Sequence, residues 1–200
     1  MNKLLFILLI LPFSAFSQKD LTKYDKDTIV YAPLPVDSTG AIVFRRVYDA
    51  PNTPKTELYA RAKIWTAIAF RSAKNAIQLD DDQKNNLIIK GVIEAVNDGD
   101  YNIWFTMQFT IKDNKFRVLI SQFSIERLLV NYDLVKEFED LYEYNVNVKN
   151  GSGDFNNQNG ITKHHAKQIA SRCQVVSDFA NAEFQEIQKA MQQSAKGDDF

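Results

Sequence analysis

Apolar and polar residues alternate from Ile103 to Ile120 around a two-residue break, and few structures accommodate that pattern. Ile103, Phe105, Met107, Phe109 and Ile111 interleave with Trp104, Thr106, Gln108 and Thr110, and after Asp113-Asn114 the apolar positions resume at Phe116, Val118 and Ile120. Period two puts each set on its own face of a β-ribbon. Asp and Asn tolerate the left-handed conformations of a tight turn. A two-residue loop then sets the register. Ile111 faces Phe116, Phe109 faces Val118 and Met107 faces Ile120 on the core side. On the other side Thr110 faces Arg117, Gln108 faces Leu119 and Trp104 faces Phe123.

Around this hairpin the chain reads as α+β. Residues 1–17 have a charged start at Lys3, an apolar run from Leu4 to Leu11 and the small-residue pair Ala15 and Ser17. This is the pattern of a secretory signal peptide cleaved after Ser17. Residues 18–40 form an extended lead-in punctuated by Pro33, Pro35 and Gly40. The core is expected over 41–124. A strand spans Ala41–Tyr48, and a helix runs from 54 to about 73. Thr53 is its expected N-cap, Pro54 its first residue and Leu58, Ala62, Trp65 and Ala69 its buried stripe. A short strand at Ile77 and Leu79 and a strand from Leu87 to Val96, interrupted by Gly91, precede the hairpin. Residues 125–161 read as an irregular connection, although Leu134, Phe138 and Leu141 have partly helical spacing. Thr162 caps a final helix, 162–193, with Ile169, Cys173, Val176, Ala180, Phe184, Ile187 and Met191 as its apolar stripe. The expected fold is one antiparallel sheet of about five strands with two long helices on one face.

Glu57-Leu58-Tyr59-Ala60-Arg61-Ala62-Lys63-Ile64-Trp65, Ile88-Ile89-Lys90-Gly91 and Lys112-Asp113-Asn114-Lys115-Phe116-Arg117 resemble a family of exported Bacteroidota proteins. Those proteins carry a domain of unknown function with a TBP-like (TATA-binding-protein-like) fold. The likeness spans roughly residues 40–125. It implies a β-α-β-β-β-β-α order, a saddle whose helices cover one face and leave the other open, and export. It brings no activity and no catalytic residues.

The composition narrows function further. A formal charge of −1 lacks the basic excess that nucleic-acid binding needs. A single Cys leaves no disulfide framework and no Cys-based zinc site. The chain has no phosphate loop and no nucleophile elbow. His164 and His165 are adjacent, so a helix points them about 100° apart, and they read as a solvated first turn. Asp80-Asp81-Asp82 lacks the spaced ligands of a calcium loop. Cys173 lies on an apolar stripe with no base nearby and reads as a small core residue. No cofactor, metal or catalytic residue is therefore expected.

The remaining candidate is the second face of the hairpin, with Trp104, Leu119 and Phe123 as apolar contacts and Gln108 and Arg117 as polar ones. The leading reading is a non-enzymatic exported module, periplasmic or extracellular, that binds an envelope protein, peptide or glycan on this face. The alternatives are an envelope hydrolase using unrecognised carboxylates, and a structural protein that self-associates through the same face. After signal cleavage no transmembrane anchor and no nucleic-acid partner are expected.

Overall fold

The expected hairpin organises the whole molecule. The computed structural model describes residues 29–96, 101–127, 130–149 and 162–192; the signal-like stretch and the loop around Asp154 lie outside them. Strands β4 (Tyr101–Lys112) and β5 (Lys115–Arg127) pair antiparallel, with Lys112 opposite Lys115 across Asp113-Asn114. Asn114 takes φ +64°, the left-handed conformation that the turn requires. β1 (Phe44–Asp49) pairs with the first half of β5, and β6 (Val130–Asp133) with its second half. On the far side β3 (Asn86–Val96) joins β4, and β2 (Ile77–Asp81) forms the edge. The order is β1-β5-β4-β3-β2, with the short β6 beside β5.

Burial alternates along β4, with Tyr101, Ile103, Phe105, Met107, Phe109 and Ile111 inside. Helix α1 (Lys55–Ala69) and the 30-residue α4 (Lys163–Gln192) cover this face. Trp65 of α1 lies against Phe109, and Phe179 of α4 against Phe105. Leu58, Ala62 and Trp65 are buried as the helical spacing requires, and so are all seven residues of the α4 stripe, but Ala69, expected on the α1 stripe, is exposed because the helix ends there. A short α2 (Ala73–Ala76) leads into β2.

Three expectations are corrected. First, Thr53 does not cap α1. Its hydroxyl donates to the Pro51 carbonyl, and the free N–H of Lys55 bonds instead to Asp113 Oδ1 at 2.9 Å. The hairpin turn thus caps the helix from 58 residues away. Asp113→Ala should lower stability by about 1 kcal/mol, as loss of a helix cap does; a denaturation midpoint within error of wild type would contradict this capping role. Second, α1 ends at Ala69 rather than near 73. Phe70 becomes extended and turns its ring edge-on to Trp65. Third, the segment expected to be an irregular connection holds the end of β5, β6 and α3 (Leu134–Lys149). Leu134 and Leu141 are fully buried, and Phe138 meets Tyr31 edge-on. The partial helical spacing was a true helix. Its N-terminus follows directly on β6, so no loop residue marked the boundary.

Helices α3 and α4 are joined by a buried ion pair, with Arg172 Nε 2.7 Å from Glu137 Oε2. The guanidinium also stacks over the Tyr101 ring at 5.1 Å. Burial and the nearby Glu137 push the Cys173 thiol up to about 12, which makes it an inert core residue.

Candidate functional site

The even-numbered side chains of β4 face away from the helices. With them on this second face, by register, are Arg45 and Val47 of β1, Leu79 of β2, Asn86, Ile88, Lys90 and Val92 of β3, and Arg117 and Leu119 of β5. Arg45, Lys90 and Arg117 are exposed, Val47 is 62% exposed and Leu79 40%. Asn102, Trp104, Thr106, Gln108, Thr110 and Leu119 are half-buried. The polar groups here bond to one another. Trp104 Nε1–H donates to Glu126 Oε2 at 2.7 Å, Gln108 Nε2 to Asn86 Oδ1 at 2.8 Å, and Arg117 to the Thr110 hydroxyl at 3.1 Å. Lys90 Nζ sits 5.3 Å above the Trp104 ring. These contacts hold the indole in one orientation without enclosing it.

Of the expected face residues, Trp104, Gln108, Arg117 and Leu119 lie together here. Phe123 does not. It is 7% exposed, in the core, and meets Phe44 edge-on. The cause is a bulge in β5. Pairing runs Thr106 to Ser121 and then Trp104 to Ser124, so β5 gains one residue and its inside–outside alternation reverses. Gln122 takes φ +54° at that point. It occupies a conformation usually filled by glycine or asparagine, so the local sequence carried no signal for it. Phe123 therefore joins Ile125 inside, and Glu126 becomes the partner of Trp104.

The other candidates resolve into structural roles. Asp80 accepts the Tyr59 hydroxyl at 2.6 Å and pairs with Lys63 at 2.7 Å, tying β2 to α1. The Lys63 hydrogen bond first, then that of Tyr59, holds the Asp80 carboxyl below its usual range. Asp81 accepts the Lys84 backbone N–H and pairs with its ammonium. Among the described residues no group of three His, Cys, Asp or Glu could hold a metal ion. The His165 backbone N–H donates to Thr162 Oγ1 at 3.2 Å, so Thr162 caps α4 as expected.

A hydrolase would need a carboxylate pair in a cleft. Pockets among the described residues include three without such a pair. One of about 260 Å³ lies between Val47, Thr110 and Arg117. A second of about 420 Å³ lies beside the β5 bulge, and a third of about 500 Å³ lies between Tyr31 and α4. Their linings contain one carboxylate, Asp37. Hydrogen bonds from Thr39 hold that carboxyl below its usual range, the wrong direction for a general acid. Burial, with Glu186 beside it, raises the Glu183 carboxyl, but Glu183 lines none of the three.

Residues 44–126 match a family model described as a domain of unknown function (DUF4468) with TBP-like fold. This chain carries a DUF4468 domain. The matched span holds all of the sheet except β6, and α1 with it. A TBP-like protein from Parabacteroides distasonis ATCC 8503 superposes with TM-score 0.57 at 16% identity, covering 80% of this chain and 98% of that one. A DUF4468 family protein from Bacteroides ovatus ATCC 8483 superposes with TM-score 0.56 at 18% identity, covering 90% and 99%. At these identities the likeness speaks for the TBP-like fold. No curated protein matches the chain. Among the described residues no helix is long and apolar enough to cross a membrane.

Proposed function

We propose that the DUF4468 domain of this chain is a binding module that takes a partner on the second face of its sheet. The carrying observation is the Trp104 environment. An indole is fixed by Glu126 and Lys90, yet only half-buried opposite Val92, on the face that also carries Gln108, Leu119 and Ile88 farther along the strands. A pre-oriented aromatic ring loses little entropy on binding, which suits it to anchor a protein, peptide or glycan. The signal-like first 17 residues support a partner in the cell envelope or outside the cell. The same residues would also serve self-association, but exposed Arg45, Lys90 and Arg117 on one face oppose a two-fold contact of like with like.

The test uses the chain beginning at Gln18, immobilised and offered envelope extract. A partner retained by the wild type and lost by a folded Trp104→Ala variant is the expected outcome. Equal recovery by both removes Trp104 from the site and overturns the reading.

A further inference from the structure

The second sheet face is not electrically uniform. Where β4 turns into β5 it carries Lys112, Lys115 and Arg117, with Arg45 farther along on β1, all exposed. In register Lys112 stands opposite Lys115, Arg117 lies between Thr110 and Val47, and Arg45 is opposite Leu119. Elsewhere Arg61 pairs with Glu57, Lys63 with Asp80, Lys136 with Asp140 and Arg172 with Glu137, while Lys55, Lys74 and Lys90 stand singly rather than in a cluster. Among the described residues Lys112, Lys115, Arg117 and Arg45 have no carboxylate at ion-pair distance, although Asp37 shares a pocket lining with Arg45 and feels its charge. Asp49 is opposite Lys115 in register and makes no ion pair with it. Arg117 has a hydroxyl as its partner. Like charges facing each other across two strands cost stability in the free protein, and a bound anion would remove that cost.

The patch is not purely electrostatic. Val47, Thr110 and Phe116 complete the lining of the pocket of about 260 Å³ that Lys112, Lys115 and Arg117 surround. Val47 is 62% exposed. A small anion or a polyphosphate would satisfy the cations and leave this valine wet. An extended peptide presents alternate side chains about 7 Å apart on one face, which is the spacing of Lys115, Arg117 and Leu119 along β5. We propose that this basic end of the sheet binds an acidic peptide segment of a partner protein, with an aliphatic side chain over Val47 and flanking carboxylates at Lys115, Arg117 and Arg45. The proposal rests on the reading of the sheet face as a binding surface and names the partner's chemistry.

The probe is a fluorescein-labelled peptide of sequence Gly-Glu-Ser-Leu-Ser-Glu-Gly, titrated with the chain from Gln18 at low ionic strength and followed by fluorescence anisotropy. Saturable binding is expected, weakened about tenfold or more by Lys115→Glu with Arg117→Glu and weakened further by added salt. Val47→Ser, or serine in place of the peptide's leucine, should weaken it several-fold. Absence of saturable binding, or indifference to charge reversal, overturns the proposal. Sensitivity to charge alone, with polyphosphate competing equally well and Val47→Ser without effect, identifies a general anion surface and overturns the peptide assignment. Quencher access to Trp104 separates the two claims. An accessible Trp104 with no peptide binding removes the basic-end assignment only, whereas a shielded Trp104 removes the binding face itself.

Discussion

Gly91→Ala should lower the melting temperature by about 3–10 °C. A Cβ at Gly91 would stand 2.4 Å from Phe105 Cζ and 2.8 Å from Phe70 Cε1, closer than carbon atoms approach. Gly91 is opposite Phe105 in the β3–β4 ladder, and the Phe105 ring is pinned from above by Phe179 of α4. The Phe70 ring, against Trp65, fixes the end of α1. The added methyl therefore meets two rings held by two different helices, and relief requires a shift of one of them. Overpacking of this kind costs about 1–3 kcal/mol, which for a chain of this size is the stated fall in melting temperature. Phe105→Leu shortens the side chain that blocks the methyl, so Gly91→Ala should cost less in that background. The check is a double-variant cycle by calorimetry. Additive losses, or a Gly91→Ala protein that melts with the wild type, would show that the glycine is not needed for the close approach.

Glu137→Ala should destabilise the protein by about 3 kcal/mol, and Arg172→Met should restore most of that loss. Arg172 and Glu137 side chains are 8% and 14% exposed. Removing the carboxylate leaves a guanidinium buried against Tyr101 with no counter-charge, the costly way to break a buried pair. Replacing both partners by apolar groups removes the orphaned charge. The midpoint of denaturant unfolding reads the effect, since Arg172 ties α4 to α3 and through Tyr101 to β4. A loss below about 1 kcal/mol for Glu137→Ala would place the pair in solvent. A double variant worse than either single one would mean that packing, not charge, is the main contribution at this site.

The sheet was readable because its two strongest determinants are local. The Asp113-Asn114 turn and the alternation beside it set the pairing from Ile111–Phe116 through Gln108–Leu119 as expected. The pairing failed at a single residue. Gln122 adopts φ +54° without being glycine or asparagine, and this bulge, set by tertiary context, moves Phe123 from the open face into the core. Trp104 kept its face because β4 has no such irregularity before it. Helix α3 was hidden because its buried positions, Leu134 and Leu141, follow a strand with no intervening turn. The cap of α1 by Asp113 was invisible for a different reason. It joins residues far apart in sequence, and the nearby Thr53 offered a plausible local substitute. The basic patch needed the sheet order, which brings Arg45 and Val47 of β1 beside Arg117.

The central claim is that the Trp104 face of the sheet is open to a partner. Two single-tryptophan variants test it most directly: Trp65→Phe, which leaves Trp104 as reporter, and Trp104→Phe, which leaves the buried Trp65 as internal reference. Acrylamide is the quencher of choice, because a neutral molecule is not biased by Lys90 and Glu126 beside the ring. The account predicts that Trp104 emits to the red of Trp65 and is quenched several-fold more steeply. Equal protection of the two, with blue emission from both, would mean that the face is covered in solution and would contradict the account.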